Sequence, residues 1–267
     1  MLVLLDRLLA DLAAEGADLD ARVADLPAAD WALPTPAAGW TIAHQIAHLA
    51  WTDAWAVRAV TAPADFTAMA EEARRRDGAR FIDDGADEGA RQGAATLLAA
   101  WRAGRAELAG ALAAVAPDTP VPWFGPPMKP ASLATARIME TWAHGQDVAD
   151  ALGQRRRPTA RLHHIAHIGI RTRGFSFAAH GLPDPGVPVR VELTAPDGTP
   201  WTWDDESAAD RVTGPAEDFC LLVTQRRHPS DLAIKATGPV AEQWLTVAQA
   251  FAGPPGAGRE PTEVRER

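Results

Sequence analysis

At 267 residues, with 47% apolar and 23% charged side chains, the chain is long enough for one large or two ordinary domains, and its composition excludes wholesale disorder. A net charge of −9 and a pI near 5.3 leave nothing to neutralise a phosphate backbone, which excludes a nucleic-acid partner. A single cysteine, Cys220, excludes an intrachain disulfide and a cysteine-rich zinc site, and it fits a reducing cytoplasm.

In chain order, Leu5, Leu8, Leu9, Leu12, Leu19, Val23 and Leu26 recur at helical spacing, which predicts a helix over 2–26. Asp6, Arg7 and Asp11 interrupt its apolar start, so it does not read as a signal peptide. "LPAADWALPTPAAGW" breaks the pattern with three prolines and a glycine and reads as a connection. Thr41 is the expected N-cap of a second helix reaching about residue 60. After a polar stretch around "ARRRDGARFIDDGADEG", a third long helix is expected over 87–115. Pro117, Pro120, Pro122, Pro126, Pro127 and Pro130 make the next segment a non-helical crossover, in which "FGPPMKP" is either a lid over the bundle mouth or a plain loop. A fourth helix is predicted over 131–152, stopped by Gly153. Four amphipathic helices with one Pro-rich connection point to a four-helix bundle.

The texture changes after Pro158. Residues 159–180 read as one helix carrying His163, His164, His167 and His180. "VPVRVELTAP", a turn at Asp197 and Gly198, and "TPWTWDD" read as strands. "GPAEDFCLLVTQRR" and "GPVAEQWLTVAQAFAG" read as helices, each with Pro early, bracketing a strand in "SDLAIKATG". The fold class is therefore α+β: a helical bundle over 1–157, a small α+β domain over 158–252, and a tail over 253–267 expected to be disordered. No apolar run approaches a membrane span, so the expected location is the cytoplasm, with no membrane partner.

The chemistry gathers in two places. "ETWAHGQDVADALG" sets Glu140 and His144 on one helical face, and "TIAHQIAHLAW" does the same for His44 and His48. Where two such helices face each other, one of these histidines completes a set of two imidazoles and one carboxylate. Three protein ligands leave an open position for water or substrate, as in catalytic zinc; iron and other divalent ions use similar sets.

"GWTIAHQIAHLAW" resembles the first-helix signature of the DinB-like metal-binding bundles. "ETWAHGQDVADALG" resembles the second signature of their mycothiol-dependent maleylpyruvate isomerase-type branch of actinobacteria. The resemblance runs from about residue 5 to 252. It implies a DinB-like bundle joined to a small sterol-carrier-protein-like α+β domain, with metal ligands at His48, Glu140 and His144. His44 falls beside the site, where many relatives carry an acid. Asp147 is either an outer contact to a ligand imidazole or a solvated helix carboxylate. In "VTQRRHP", Arg226, with Arg227 beside it, falls where isomerase-type members hold a substrate carboxylate.

The implied function is zinc-dependent chemistry of a low-molecular-weight thiol, mycothiol, on a small electrophile, as an isomerase or an S-transferase. A non-catalytic metal- or ligand-binding scaffold and a metal-dependent hydrolase are the alternatives. Other candidates read as structural: His163, His164 and His167 as helix-face residues, Cys220 as a small buried hydrophobe, the tryptophans as core, Asp150 as surface, and Arg155 to Arg157 as an exposed linker.

Overall fold

The computed structural model describes residues 2–77, 80–204 and 206–262, leaving aside the side chains of residues 2, 76 and 77. The chain divides into two compact units, Met1–Arg156 and Arg157–Arg267.

The first unit is helical. α1 (Leu2–Val23), α2 (Ile42–Thr61), α5 (Ala94–Ala114) and α6 (Pro130–Ala151) form the bundle: α2 packs on α5 and α6, and α1 on α6 and α5. Their apolar stripes meet in a core that includes Leu19, Val23, Ile42, Ile46, Leu49, Leu97, Trp101 and Val148. Thr41 does open α2: its backbone N–H donates to His44 Nδ1 at 3.2 Å, and its hydroxyl lies 2.8 Å from the same nitrogen. Gly153, at φ 63°, ends α6. Gln154 N–H donates to Ala149 O at 2.8 Å and Gly153 N–H to Asp150 O at 3.1 Å, the paired closure that a left-handed glycine permits.

Two expectations need correction here. Between the second and third expected helices the chain carries two more, α3 (Pro63–Asp77) and α4 (Phe81–Ala90), and the helix expected over 87–115 begins only at Ala94. The break lies at Gly93, whose φ of 82° is outside the helical region. α4 escapes a reading by apolar periodicity because it docks through absent side chains: a Cβ at Gly85 would fall 2.6 Å from Trp51 Nε1, and one at Gly89 2.7 Å from Ala47 Cβ. Arg156, read as part of an exposed linker, is half-buried, and its guanidinium donates to Glu15 and, at 2.7 Å, to Trp142 O.

The second unit carries α7 (Leu162–Arg171), α8 (Arg173–Ala179), α9 (Ala216–Val223), α10 (Pro239–Val247) and a four-stranded sheet in the order β2-β1-β3-β4. β1 (Val189–Thr194) pairs antiparallel with β2 (Pro200–Trp203) across the Asp197–Gly198 turn and parallel with β3 (Asp210–Pro215), which pairs antiparallel with β4 (Lys235–Thr237). The helix expected over 159–180 is two, parted at Thr172, whose hydroxyl donates to Ile168 O and Gln249 O, both at 2.9 Å. β3 was not expected: only Asp210 and Val212 are buried in it, too short an alternation to read. Consequently Pro215 ends a strand and precedes α9 instead of lying inside it, whereas Pro239 does open α10. Asp210 Oδ1 accepts Val240 N–H at 2.7 Å and Ala241 N–H at 2.9 Å, satisfying the first turn of α10 from the sheet. Residues 253–262 form neither helix nor strand; residues 263–267 of the tail expected to be disordered lie outside the described residues. No described helix is long and apolar enough to cross a membrane.

Candidate metal centre

α2 and α6 pack side by side, and His48 of α2 turns toward the Glu140–His144 pair of α6. His48 Nε2 lies 3.6 Å and His144 Nε2 3.2 Å from the same oxygen, Glu140 Oε2, and the two imidazole centroids are 4.5 Å apart. One ligand atom from each of the three lies within 4.8 Å of the others, and this is the one such trio among the described residues. Both histidines are buried, whereas 22% of the Glu140 side chain remains exposed, so the trio is open on one flank.

The proton on His144 can be placed by following its neighbours. Thr35 Oγ1 donates to Trp40 O at 2.9 Å, so it accepts from Gln45 Nε2 at 2.8 Å. The Gln45 amide oxygen therefore faces His144, 2.5 Å from Nδ1, and Nδ1 must carry the proton. A neutral His144 then presents the bare lone pair of Nε2 to an anionic carboxylate. Two lone pairs at 3.2 Å require a proton or a cation between them. His48 adds a third donor: its Nε2 is too far from Glu140 for a hydrogen bond, and its buried Nδ1 has no partner among the described residues. Bonds of about 2.0–2.1 Å in a tetrahedron separate ligand atoms by about 3.4 Å, between the 3.2 and 3.6 Å found here. The donor set thus fits a divalent ion. Burial alone would raise the Glu140 carboxyl, but the flanking His144 and His48 imidazoles hold it well below the usual carboxylate range.

His44 is organised differently. Its Nδ1 accepts the Thr41 N–H, so Nε2 carries the proton and donates to Asp87 Oδ1 at 3.1 Å. Both ring nitrogens are thereby committed to α2's own N-terminus and to α4. Asp147 is wholly buried, which sets aside a solvated carboxylate. Asp150 accepts from Gln146 Nε2 at 2.9 Å. Arg226 belongs to the second unit, where its Nη1 donates to Thr224 O at 2.6 Å; Arg227 Nη1 donates to Arg226 O at 2.7 Å.

Three residues of the centre escaped the sequence reading. Gln45 sits inside the quoted motif, but a glutamine between two histidines carries no periodic signal. Asp53 and Arg137 form a buried ion pair between α2 and α6, with Nε to Oδ1 at 2.9 Å; burial raises the Asp53 carboxyl in spite of Arg137. Their only trace in sequence is a charge of opposite sign within the largely apolar run of each helix.

The remaining candidates are structural. His163 packs against Trp201 and Trp203, each with centroids 5.0 Å away, and burial followed by the charge of His164 lowers its pKa. Cys220 is fully buried, and burial followed by Glu217 pushes its thiol well above the usual range. The loop containing "FGPPMKP" is pinned by Val121 and Met128, which exchange backbone hydrogen bonds of 2.8 and 2.9 Å.

Residues 12–149 match the family model described as the mycothiol maleylpyruvate isomerase N-terminal domain. Residues 185–237 match one described as wyosine base formation. Two uncharacterized proteins of Mycobacterium tuberculosis, from strains CDC 1551 and H37Rv, are each 56% identical over 250 residues, covering 94% of this chain and 97% of theirs. Crystal structures of the mycothiol-dependent maleylpyruvate isomerase and of a histidine-to-alanine mutant of it share the fold. Their TM-scores are 0.59 and 0.58 at 16% and 15% identity, over 89% of this chain and 95% of theirs.

Proposed function

The chain belongs to the family of the mycothiol maleylpyruvate isomerase N-terminal domain, and from that membership we propose that it is a zinc-dependent enzyme that activates a low-molecular-weight thiol, mycothiol, against a small electrophile. The observation that carries this reading is the convergence of His48 Nε2, His144 Nε2 and Glu140 Oε2, with the His144 proton fixed on the far side of the ring by Gln45. Two imidazoles, a carboxylate and an open flank are the donor set of a catalytic zinc site rather than a closed structural one. When bound there, a divalent cation supplies acidity, because a thiol of ordinary pKa about 8.5 loses its proton on coordination.

The chain's own residues do the rest. His48, Glu140 and His144 would hold the ion, Gln45 orients His144, and the Trp40 ring, 5.3 Å from His48 and 6.0 Å from His144 by centroids, covers both imidazoles. The sulfur then bonds to an electrophilic carbon of the acceptor. In an S-transferase the leaving group departs with its bonding pair. In an isomerase the carbon–carbon π pair moves onto a conjugated carbonyl, the adduct rotates about the resulting single bond, and the pair returns to re-form the double bond as the carbon–sulfur bond breaks. Arg226 is proposed to recognise a carboxylate where the substrate has one, a role that predicts a raised KM for acidic substrates in Arg226→Ala with kcat little changed.

Elemental analysis of the purified full chain tests the ligands. His48→Ala and His144→Ala are expected to fall well below one ion per chain while circular dichroism stays native; unchanged stoichiometry in both ends the assignment. A thiol titration of cobalt-substituted protein, followed by incubation with generic electrophiles, tests the chemistry. Substrate turnover without thiol would identify a hydrolase instead, and silence across a broad panel with metal bound would leave a scaffold.

A further inference from the structure

The two imidazoles are set in a continuous aromatic wall. Trp40 lies 5.3 Å from His48 and 6.0 Å from His144, the latter stacked at 21°, and Trp51 lies 6.4 Å from His48 at 29°. From Trp51 the wall continues to Phe81 at 4.8 Å and Trp55 at 5.6 Å, and from Trp55 to Phe124 at 5.3 Å. Trp55 belongs to the buried core, but Trp40, Trp51, Phe81 and Phe124 are only half-buried. Four large rings from the α2 leader, α2, α4 and the Pro-rich crossover thus keep apolar surface in water beside the candidate ligands. Such surface stabilises nothing in the unliganded chain, and contiguous exposed apolar area marks binding sites.

The polar groups next to this wall are acidic. Trp40 Nε1 donates to Asp83 Oδ1 at 3.1 Å and Asp87 accepts from His44 at 3.1 Å, whereas the charge of Glu140, a candidate ligand, is offset once an ion is bound. Arg91 and Arg80 approach Asp87 and Asp84 at 3.7 and 3.6 Å, but their own side chains are 74% and 69% exposed. An anion laid against Trp40 would face carboxylates at close range.

We propose that the wall formed by Trp40, Trp51, Phe81 and Phe124 is the acceptor subsite, and that the part of the electrophile seated there is uncharged, planar and aromatic in size. The proposal rests on the thiol-transfer reading for what the subsite serves. It narrows that reading from any small electrophile to one with a flat apolar group. Trp51 is the specificity-determining ring: Gly85 lets its indole lie directly against the α4 backbone, and it connects His48 to the rest of the wall.

The test is equilibrium binding to the full-length, zinc-loaded protein without thiol, read by saturation-transfer NMR and by tryptophan fluorescence quenching. Naphthalenemethanol is the neutral planar probe and maleate the small dianion. Naphthalenemethanol is expected to bind saturably, with affinity about ten-fold lower in Trp51→Ala and nearly restored in Trp51→Phe, because stacking area carries the contact. Trp203→Phe, in the second unit, is expected to change nothing. Should Trp51→Ala fail to fold, Phe81→Leu, which keeps volume and removes a ring, is expected to weaken the same binding several-fold. Naphthalenemethanol binding that is indifferent to Trp51 and Phe81, or maleate binding that depends on Trp51 while naphthalenemethanol does not bind, overturns the proposal. Because this readout needs no turnover, its failure is separate from that of the thiol-transfer reading, which falls if the zinc-loaded protein accelerates no thiol addition.

Discussion

Gln45→Leu isolates the hydrogen bond on which the charge state of the centre depends. Gln45 is fully buried and spans from Thr35 Oγ1 at 2.8 Å to His144 Nδ1 at 2.5 Å. Leucine keeps the volume and removes both contacts. The His144 Nδ1–H then loses this acceptor, a loss of about 1–3 kcal/mol, and the ring is free to turn or to exchange its proton between nitrogens. Loss of an outer contact of this kind weakens metal affinity about 10–100-fold, which converts to about 1.4–2.8 kcal/mol, so the two routes agree. The assay is competition for zinc or cobalt against a chromophoric chelator at neutral pH, with the unfolding midpoint measured in parallel. Gln45→Glu should fall between, since a carboxylate still accepts from Nδ1–H but cannot donate to Thr35. Affinity in Gln45→Leu within about two-fold of the wild type would mean that this bond does not hold the ring, and the lone-pair argument would fail with it.

Three further outcomes follow from the packing. Gly85→Ala puts a Cβ 2.6–2.9 Å from three atoms of the Trp51 indole; the expected overpacking cost is about 1–3 kcal/mol, read as a lower urea midpoint together with altered tryptophan emission, and neither should change if α4 is not seated there. Asp20 is held below the ordinary carboxylate range chiefly by its hydrogen bond from Arg102, with Arg105 also contributing. A depressed folded-state pKa contributes stability that is present above about pH 4 and lost as pH falls through the folded value, so Asp20→Asn should flatten the acid limb of a stability profile that the wild type shows. Replacing the buried pair together, as Asp53→Leu with Arg137→Met, is expected to leave stability about unchanged or higher, whereas Arg137→Met alone costs about 3–5 kcal/mol. Because the Asp53 carboxyl is already raised by burial, that single variant should recover stability as pH falls and Asp53 takes up a proton; a flat profile would contradict the assignment.

The four bundle helices were legible because each buries an apolar stripe at helical spacing, and Thr41 and Gly153 mark ends with side-chain and backbone chemistry of their own. Glu140, His144, His44 and His48 were legible as pairs for the same reason, since a period of 3.6 puts i and i+4 on one face. What brings His48 to the α6 pair was not, because it depends on contacts without a local signature. α4 docks through the missing side chains of Gly85 and Gly89, Arg137 reaches Asp53 across 84 positions, and β3 is placed by its partners on either side rather than by its own six residues.

One short stretch shows how these levels join. The backbone from Pro34 to Thr41 closes on itself as a bridge, with Gly39 at φ 78° making the turn. Within it, Thr35 starts the relay through Gln45 that places the proton of His144, Trp40 lays its ring over His48 and His144, and Thr41 ties up Nδ1 of His44. The leader of α2 therefore addresses three histidines by three different means: one is given a tautomer, one is covered, and one is withdrawn from ligation by being paired at both nitrogens. It follows that His44 and His48, alike in residue type and on the same face of the same helix, differ in chemistry because His44 is the third helical residue and belongs to the cap. His48, one turn on, lies beyond the reach of any capping group, so its ring remains available to the partner helix.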